Sequence, residues 1–131
     1  ATMANETEVG WSNFELPFDE VMPNDAAETM MEGVYTELGV AFGPGSGPEG
    51  SSDVGNVSMH CPTLQPTLPI IDQPYTLHTR EFAAATVGGQ AHNAIVTGAR
   101  ILARASLKTF LEPELRKRMW SNLAKEKTVQ Y

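Results

Sequence analysis

The residues of this chain that could do chemistry stand between Gly50 and Phe82. His60 and His78 are two of its three histidines, Cys61 is its only cysteine, and Asp53 is an acid inside Gly50-Ser-Ser-Asp-Val-Gly-Asn-Val-Ser58. Small residues around an acid let backbone and ligand come close. His78 lies in a loop just ahead of a long helical pattern. A neutral imidazole there can bind a metal through one nitrogen while an acceptor holds the other. On residue type alone, a single histidine between Leu77 and Thr79 is more simply a plain loop residue. Asp53 reads equally well as a turn or helix-cap acid. Asn56 and Ser58 could supply hydrogen bonds to the same loop or simply form a turn. His60 and Cys61 are a soft pair, but neighbours on a strand point to opposite faces, and zinc here would need two more ligands at suitable spacing. No base is identifiable that would activate Cys61 as a nucleophile, and His92 is expected on or near a helix surface.

The Gly50–Ser58 run, the proline-containing segment after it and Leu77-His-Thr-Arg-Glu-Phe82 together resemble the end of the catalytic domain of the aminoacylase and p-aminobenzoyl-glutamate hydrolase family of dinuclear zinc metallopeptidases. The most similar branch is the aminoacylase-like amidohydrolases and dipeptidases with a Gly-Ser-Thr-Asp-x-Gly-Asn-Val-Ser motif; Ser52 stands where many members carry Thr. The resemblance implies that His78 is the C-terminal zinc-ligand histidine. It implies that Asp53, Asn56 and Ser58 belong to a loop beside the active site that organises rather than performs the chemistry. The parent reaction would be hydrolysis of an amide bond in a small N-acyl or aminoacyl amino acid by metal-bound hydroxide, with two zinc ions per active site. In the family the upstream half supplies a His-x-Asp pair, a Glu-Glu pair and a further acid. Here the residues two beyond His60, His78 and His92 are Pro62, Arg80 and Ala94, and no Glu-Glu occurs. One histidine cannot hold a zinc pair, so no catalytic residue is expected in this piece. Alone it is expected to be inactive and not to retain zinc.

The elements that must position these residues are bounded first by composition. A length of 131 residues fits one domain. The net charge of −7 argues against nucleic acid as a partner, because phosphate binding needs clustered Lys and Arg. The charge is unevenly spread: no Lys or Arg precedes Arg80 and twelve acids do, giving −12, whereas nine basic and four acidic residues follow from Arg80 on, giving +5. The two halves are expected to attract one another within one fold, or the acidic half to face a separate segment. A single cysteine points to a reducing compartment, and so to the cytoplasm. No apolar run approaches the length of a membrane span, and no signal peptide is visible. A chain that begins at Ala1 without an initiator Met reads as a piece or a processed product.

The expected fold is α/β, a C-terminal part of a metallopeptidase catalytic domain, rich in helix with a few short strands. Thr2 to Phe18 reads as an extended strand, with Thr7, Val9 and Trp11 at period two. By resemblance, residues 1–20 are the last lid strand and hinge, and residues 21–131 belong to the catalytic domain. Asp25 and Glu28 form a capping-box pattern, Ala27, Met30, Met31, Val34 and Leu38 take helical spacing, and Gly39 is a stop. Gly43 to Ser52 is a loop by composition and not a phosphate loop. Val54 to Met59 and Leu68 to Ile71 read as short strands. Glu81 to Glu112 is the dominant helical pattern, with an irregular start at Gly88-Gly89. Its stripe of Ile95, Ala99, Leu102, Ser106 and Phe110 faces inward, and Arg100, Arg104 and Lys108 lie opposite. Pro113 opens a last helix carried by Leu115, Met119 and Leu123 to about Lys125. With the lid strand and helix faces lacking their family partners, a homo-oligomer is expected. The rival to the hydrolase reading is a non-catalytic module that self-associates or docks on another chain.

Overall fold

The computed structural model describes residues 10–14, 17–43, 52–73 and 75–130. Its regular elements are helices: α1 (Asp25–Leu38), α2 (Val54–Ser58), α3 (Arg80–Ala85), α4 (Gly89–Leu111) and α5 (Pro113–Gln130). Helices α1, α4 and α5 pack on one another as the body of the fold. The expected α/β class is therefore incorrect for the described residues, which contain no strand. The pattern Val-Gly-Asn-Val-Ser places Val54 and Val57 one helical turn apart and forms α2. Leu68 to Ile71 is irregular chain. A strand needs a paired neighbour to satisfy its backbone, and the described chain offers none. The expected strand Thr2 to Phe18 lies largely outside the described residues, and residues 10–14 and 17–18 are not strand. Most of the Gly43–Ser52 loop likewise lies outside them.

Helix α1 starts one residue earlier than its capping-box pattern predicts. Asn24, not Asp25, is the N-cap: its Oδ1 accepts from the Ala27 N–H at 3.1 Å. The Asn24 amide also donates to Met119 O of α5 at 2.9 Å, and Asn122 Oδ1 accepts from the Ala26 N–H at 2.9 Å. Amide groups that helix geometry leaves unpaired in the first turn are thus partly satisfied by α5, which docks the start of α1 there. Gly39 ends α1 as expected, at φ +66°. The Val40 N–H donates to Tyr35 O at 2.9 Å and Gly39 N–H to Thr36 O at 3.2 Å, the paired bonds of a Schellman stop.

The predicted single helix from Glu81 is interrupted at Thr86–Gly88, giving α3 and α4. Pro113 opens α5 as expected. The Arg116 guanidinium reaches back to donate to Thr109 O at 2.6 Å and Phe110 O at 2.7 Å, capping the last turn of α4. Two apolar clusters hold the three helices. Met31, Val34 and Tyr35 of α1 meet Ile101 and Ala105 of α4. Ala27 of α1 meets Leu115 and Met119 of α5. The core residues expected on α1 and α5 are in place. Those expected on α4 are not: Ile101 and Ala105 face inward, whereas Ile95 (66% exposed), Leu102 (58%) and Phe110 (79%) face out. Among the described residues no helix is long and apolar enough to cross a membrane.

The basic row of α4 meets the acidic half of the chain at Glu37. Arg104 Nε lies 2.9 Å and Lys108 Nζ 2.5 Å from its carboxylate oxygens. The hydrogen bonds from Lys108 and then Arg104 hold the Glu37 pKa below its ordinary value. A carboxylate with a lowered folded pKa adds stability above its unfolded pKa, and that stability fades as pH falls through the folded value. Urea midpoints of the wild type are expected to drop on acidification more than those of Glu37→Gln. The difference is expected to shrink at high salt, because the pair stands at the surface. Equal pH profiles would remove Glu37 as a determinant.

Candidate functional site

The sequence motif from Ser52 to Ser58 becomes a docking helix. Gly55 and Ser58 of α2 are buried against the extended chain ahead of α1. A Cβ on Gly55 would lie within the van der Waals radius of Asp19 O and 2.6 Å from Asp19 C, so only glycine permits this approach. Ser58, wholly buried, accepts from the Met22 N–H at 2.8 Å through Oγ and donates to Gly55 O at 2.6 Å. The Asn56 amide donates to Pro17 O at 3.2 Å and to Asp19 Oδ2 at 3.1 Å. Its Oδ1 is buried without a hydrogen-bond partner. Asn56 and Ser58 thus hold residues 17–22, which lead directly into the α1 cap. Their observed contacts are structural.

Asp53 stands at the N-cap position of α2 and makes no side-chain cap hydrogen bond. Its carboxylate is exposed, while the Ser52 hydroxyl takes the Val54 N–H at 3.4 Å. The motif therefore brings Asn56 and Ser58 together on one buried seam and leaves Asp53 at its solvent edge.

His78 is placed differently. It is exposed, in the turn before α3, with φ +63°, the left-handed region that residues other than glycine seldom occupy. Thr79 fixes this turn from both sides. Its hydroxyl donates to Thr76 O at 2.7 Å and accepts from the Phe82 N–H at 3.2 Å, so it is the N-cap of α3. The His78 ring shares no hydrogen bond with Asp53, Asn56 or Ser58. Among the described residues no three His, Cys, Asp or Glu side chains stand close enough to hold a metal together. The donors present do not fit a zinc site: His78 is one ligand, and a catalytic zinc needs about three from protein. His60 and Cys61 lie in the turn after α2, not on a strand. Cys61 is a free thiol, half-buried, 3.7 Å from Val57 O. His92 is exposed on α4, as expected.

A cleft of about 500 Å³ lies where α5 meets α1 and the end of α4, lined by Asp25, Thr29, Lys108, Glu112, Arg118 and Lys125. None of the motif residues borders it. Sequence reasoning missed Gly55, Asn24 and Arg116 as structural determinants. Asn24 had a signal, since Asn ranks with Asp as an N-cap and stands one residue ahead. Gly55 and Arg116 had none, because their partners are set by tertiary contact. Comparison with protein-family models, with curated proteins and with solved structures finds no match to this chain.

Proposed function

We propose that this chain is the C-terminal part of a zinc-dependent amidohydrolase or dipeptidase acting on small N-acyl or aminoacyl amino acids, and that His78 is the metal donor it contributes. The motif from Gly50 to Ser58 and the sequence Leu77-His-Thr-Arg-Glu-Phe82 support this reading. The observation that carries it is the backbone of His78. Left-handed φ costs a residue with a Cβ about 1–2 kcal/mol, and the exposed ring gains no burial to offset it. Residues held this way gather at ligand-binding positions. The other zinc donors and the general base lie outside this sequence in this reading. Residues 1–20 then belong to the lid and hinge region, residues 21–131 to the catalytic domain, and Asp53 stands at the rim. A single free cysteine favours the cytoplasm.

The test measures metal content per chain beside steady-state rate in the full enzyme. His78→Ala is expected to strip one metal and cut turnover while leaving helicity unchanged; His60→Ala is expected to change neither. The 131-residue chain alone is expected to hydrolyse no N-acyl amino acid. Equal metal content in wild type and His78→Ala would sink the assignment. One observation favours the second reading, a self-associating or docking module: the outward apolar face of α4.

A further inference from the structure

The cleft between α1 and α5 is walled by one stripe from each helix. Asp25, Thr29 and Gly33 follow one another at four-residue spacing on α1, and Arg118, Asn122 and Lys125 at four and three on α5. Lys108 and Glu112 close the end where α4 stops. The floor is apolar, made by Ala26, Met30 and Leu115. A volume of about 500 Å³ falls within the roughly 300–1,000 Å³ of small-molecule sites.

The charges on these walls are not paired with one another. Asp25, Glu112, Arg118 and Lys125 enter no ion pair among the described residues; the ion pairs there are those of Glu37 with Arg104 and Lys108, and of Lys117 with Glu114. Opposite charges that line one cleft and stay apart leave both signs open to a ligand. Gly33 is an independent sign. It sits inside α1, where glycine costs about 1 kcal/mol against alanine, and a Cβ there would meet no atom within 4 Å. Packing therefore does not require glycine here. Its effect is to leave the cleft wall bare beside Met30.

We propose that this cleft binds a short zwitterionic peptide, with Arg118 holding its carboxylate and Asp25 its ammonium. Lys108 is already held by Glu37, so two acids and two bases remain, and no net charge favours a simple anion or cation. The planar fork of Arg118 matches a carboxylate through two hydrogen bonds. Asp25 stands level with Asn122, because the N–H of its neighbour Ala26 donates to Asn122 Oδ1 at 2.9 Å. Asn122 lies four residues, about 6 Å along the helix axis, beyond Arg118. Two extended residues span about 7 Å, so a dipeptide reaches both charges, whereas a free amino acid carries both on one carbon. The apolar floor receives a ligand side chain, and the bare wall at Gly33 gives it room. Binding here does not rest on the zinc reading, because neither His78 nor any residue from Gly50 to Ser58 lines the cleft.

The experiment titrates the 131-residue chain with the dipeptide Ala-Leu and follows backbone amide shifts by NMR. Saturable shifts are expected around the cleft in α1 and α5. N-acetyl-Ala-Leu lacks the ammonium and Ala-Leu amide lacks the carboxylate; each is expected to bind about tenfold more weakly or worse. The same loss is expected for Ala-Leu on Arg118→Ala and on Asp25→Asn, with circular dichroism confirming that each is folded. Gly33→Leu is expected to abolish binding without lowering the thermal midpoint, since leucine fills the cleft and is the better helix former. Lys117→Ala, outside the cleft, is expected to bind as wild type does. No saturable shift in the wild type would overturn the proposal, as would undiminished binding by both folded charge variants. Free leucine or inorganic phosphate binding as tightly as Ala-Leu would overturn the peptide assignment.

Discussion

Gly55→Ala is expected to destabilise the protein by about 3 kcal/mol, lowering the thermal midpoint on the order of 10 °C. Alanine is the better helix former by about 1 kcal/mol, so propensity alone predicts the opposite sign. The decisive quantity is distance: the new methyl would collide with the backbone of Asp19, which has no flexible end to swing away. Helix α2 would have to move off the chain from Pro17 to Met22. The move breaks the buried bond from the Met22 N–H to Ser58 Oγ and the Asn56 contacts with Pro17 and Asp19. A buried amide left unpaired costs about 1–3 kcal/mol. Gly33→Ala is the matched control. It lies inside α1 with no atom within 4 Å of the new methyl, and is expected to stabilise by about 0.5–1 kcal/mol. Denaturant melts of both variants decide the matter. Equal shifts of the same sign would mean that α2 does not dock on residues 17–22.

These contacts also mark what could be read from the sequence. Helices α1 and α5 were legible because each shows one apolar stripe: Ala27, Met31 and Val34 on one, Leu115, Met119 and Leu123 on the other, all buried. Gly39 and Pro113 fixed their ends through backbone geometry that no partner needs to supply. The inward face of α4 was not legible, since periodicity finds a stripe but cannot choose between two. The structure buries the side with Ala91, Gly98 and Ala105, whose small residues let α1 and the Leu68 segment approach. The longer side chains of Ile95, Leu102 and Phe110 are left outside. The strand expected at Val54 failed for a related reason: a short apolar run fits either period, and the nearby backbone of residues 17–22 receives it as a helix. At the candidate site, the sequence located His78 in a loop before a helix, which the structure bears out. It could not show that the backbone there is left-handed, because the Thr79 hydroxyl bridging Thr76 and Phe82 sets that geometry.

Asn24→Ala is expected to cost about 2 kcal/mol, although the residue carries no charge. Asn24 is 2% exposed and does two jobs with one amide. Its side-chain oxygen takes the Ala27 N–H at 3.1 Å, an amide that Asn24 O also accepts from at 2.9 Å, and its nitrogen ties α1 to Met119 O, 95 residues away in sequence. Alanine removes both and leaves the Ala27 N–H only its 2.9 Å bond to the backbone oxygen of residue 24. Met119 O stands inside α5, where the helical bond to Leu123 still serves it, so the larger share of the loss falls on the α1 end. Asn24→Asp separates the two jobs. Aspartate keeps the acceptor, and its charge suits a helix N-terminus, but it loses the donor and sets a carboxylate oxygen against a carbonyl. Its loss is expected to lie between those of wild type and alanine, and to shrink when the carboxylate is protonated, since the acid can then donate to Met119 O. Hydrogen exchange gives the local readout: faster exchange at Ala27 in Asn24→Ala, with the α4 core amides slowed as before. A variant of wild-type stability would show that Asn122 alone is enough to dock α1 on α5.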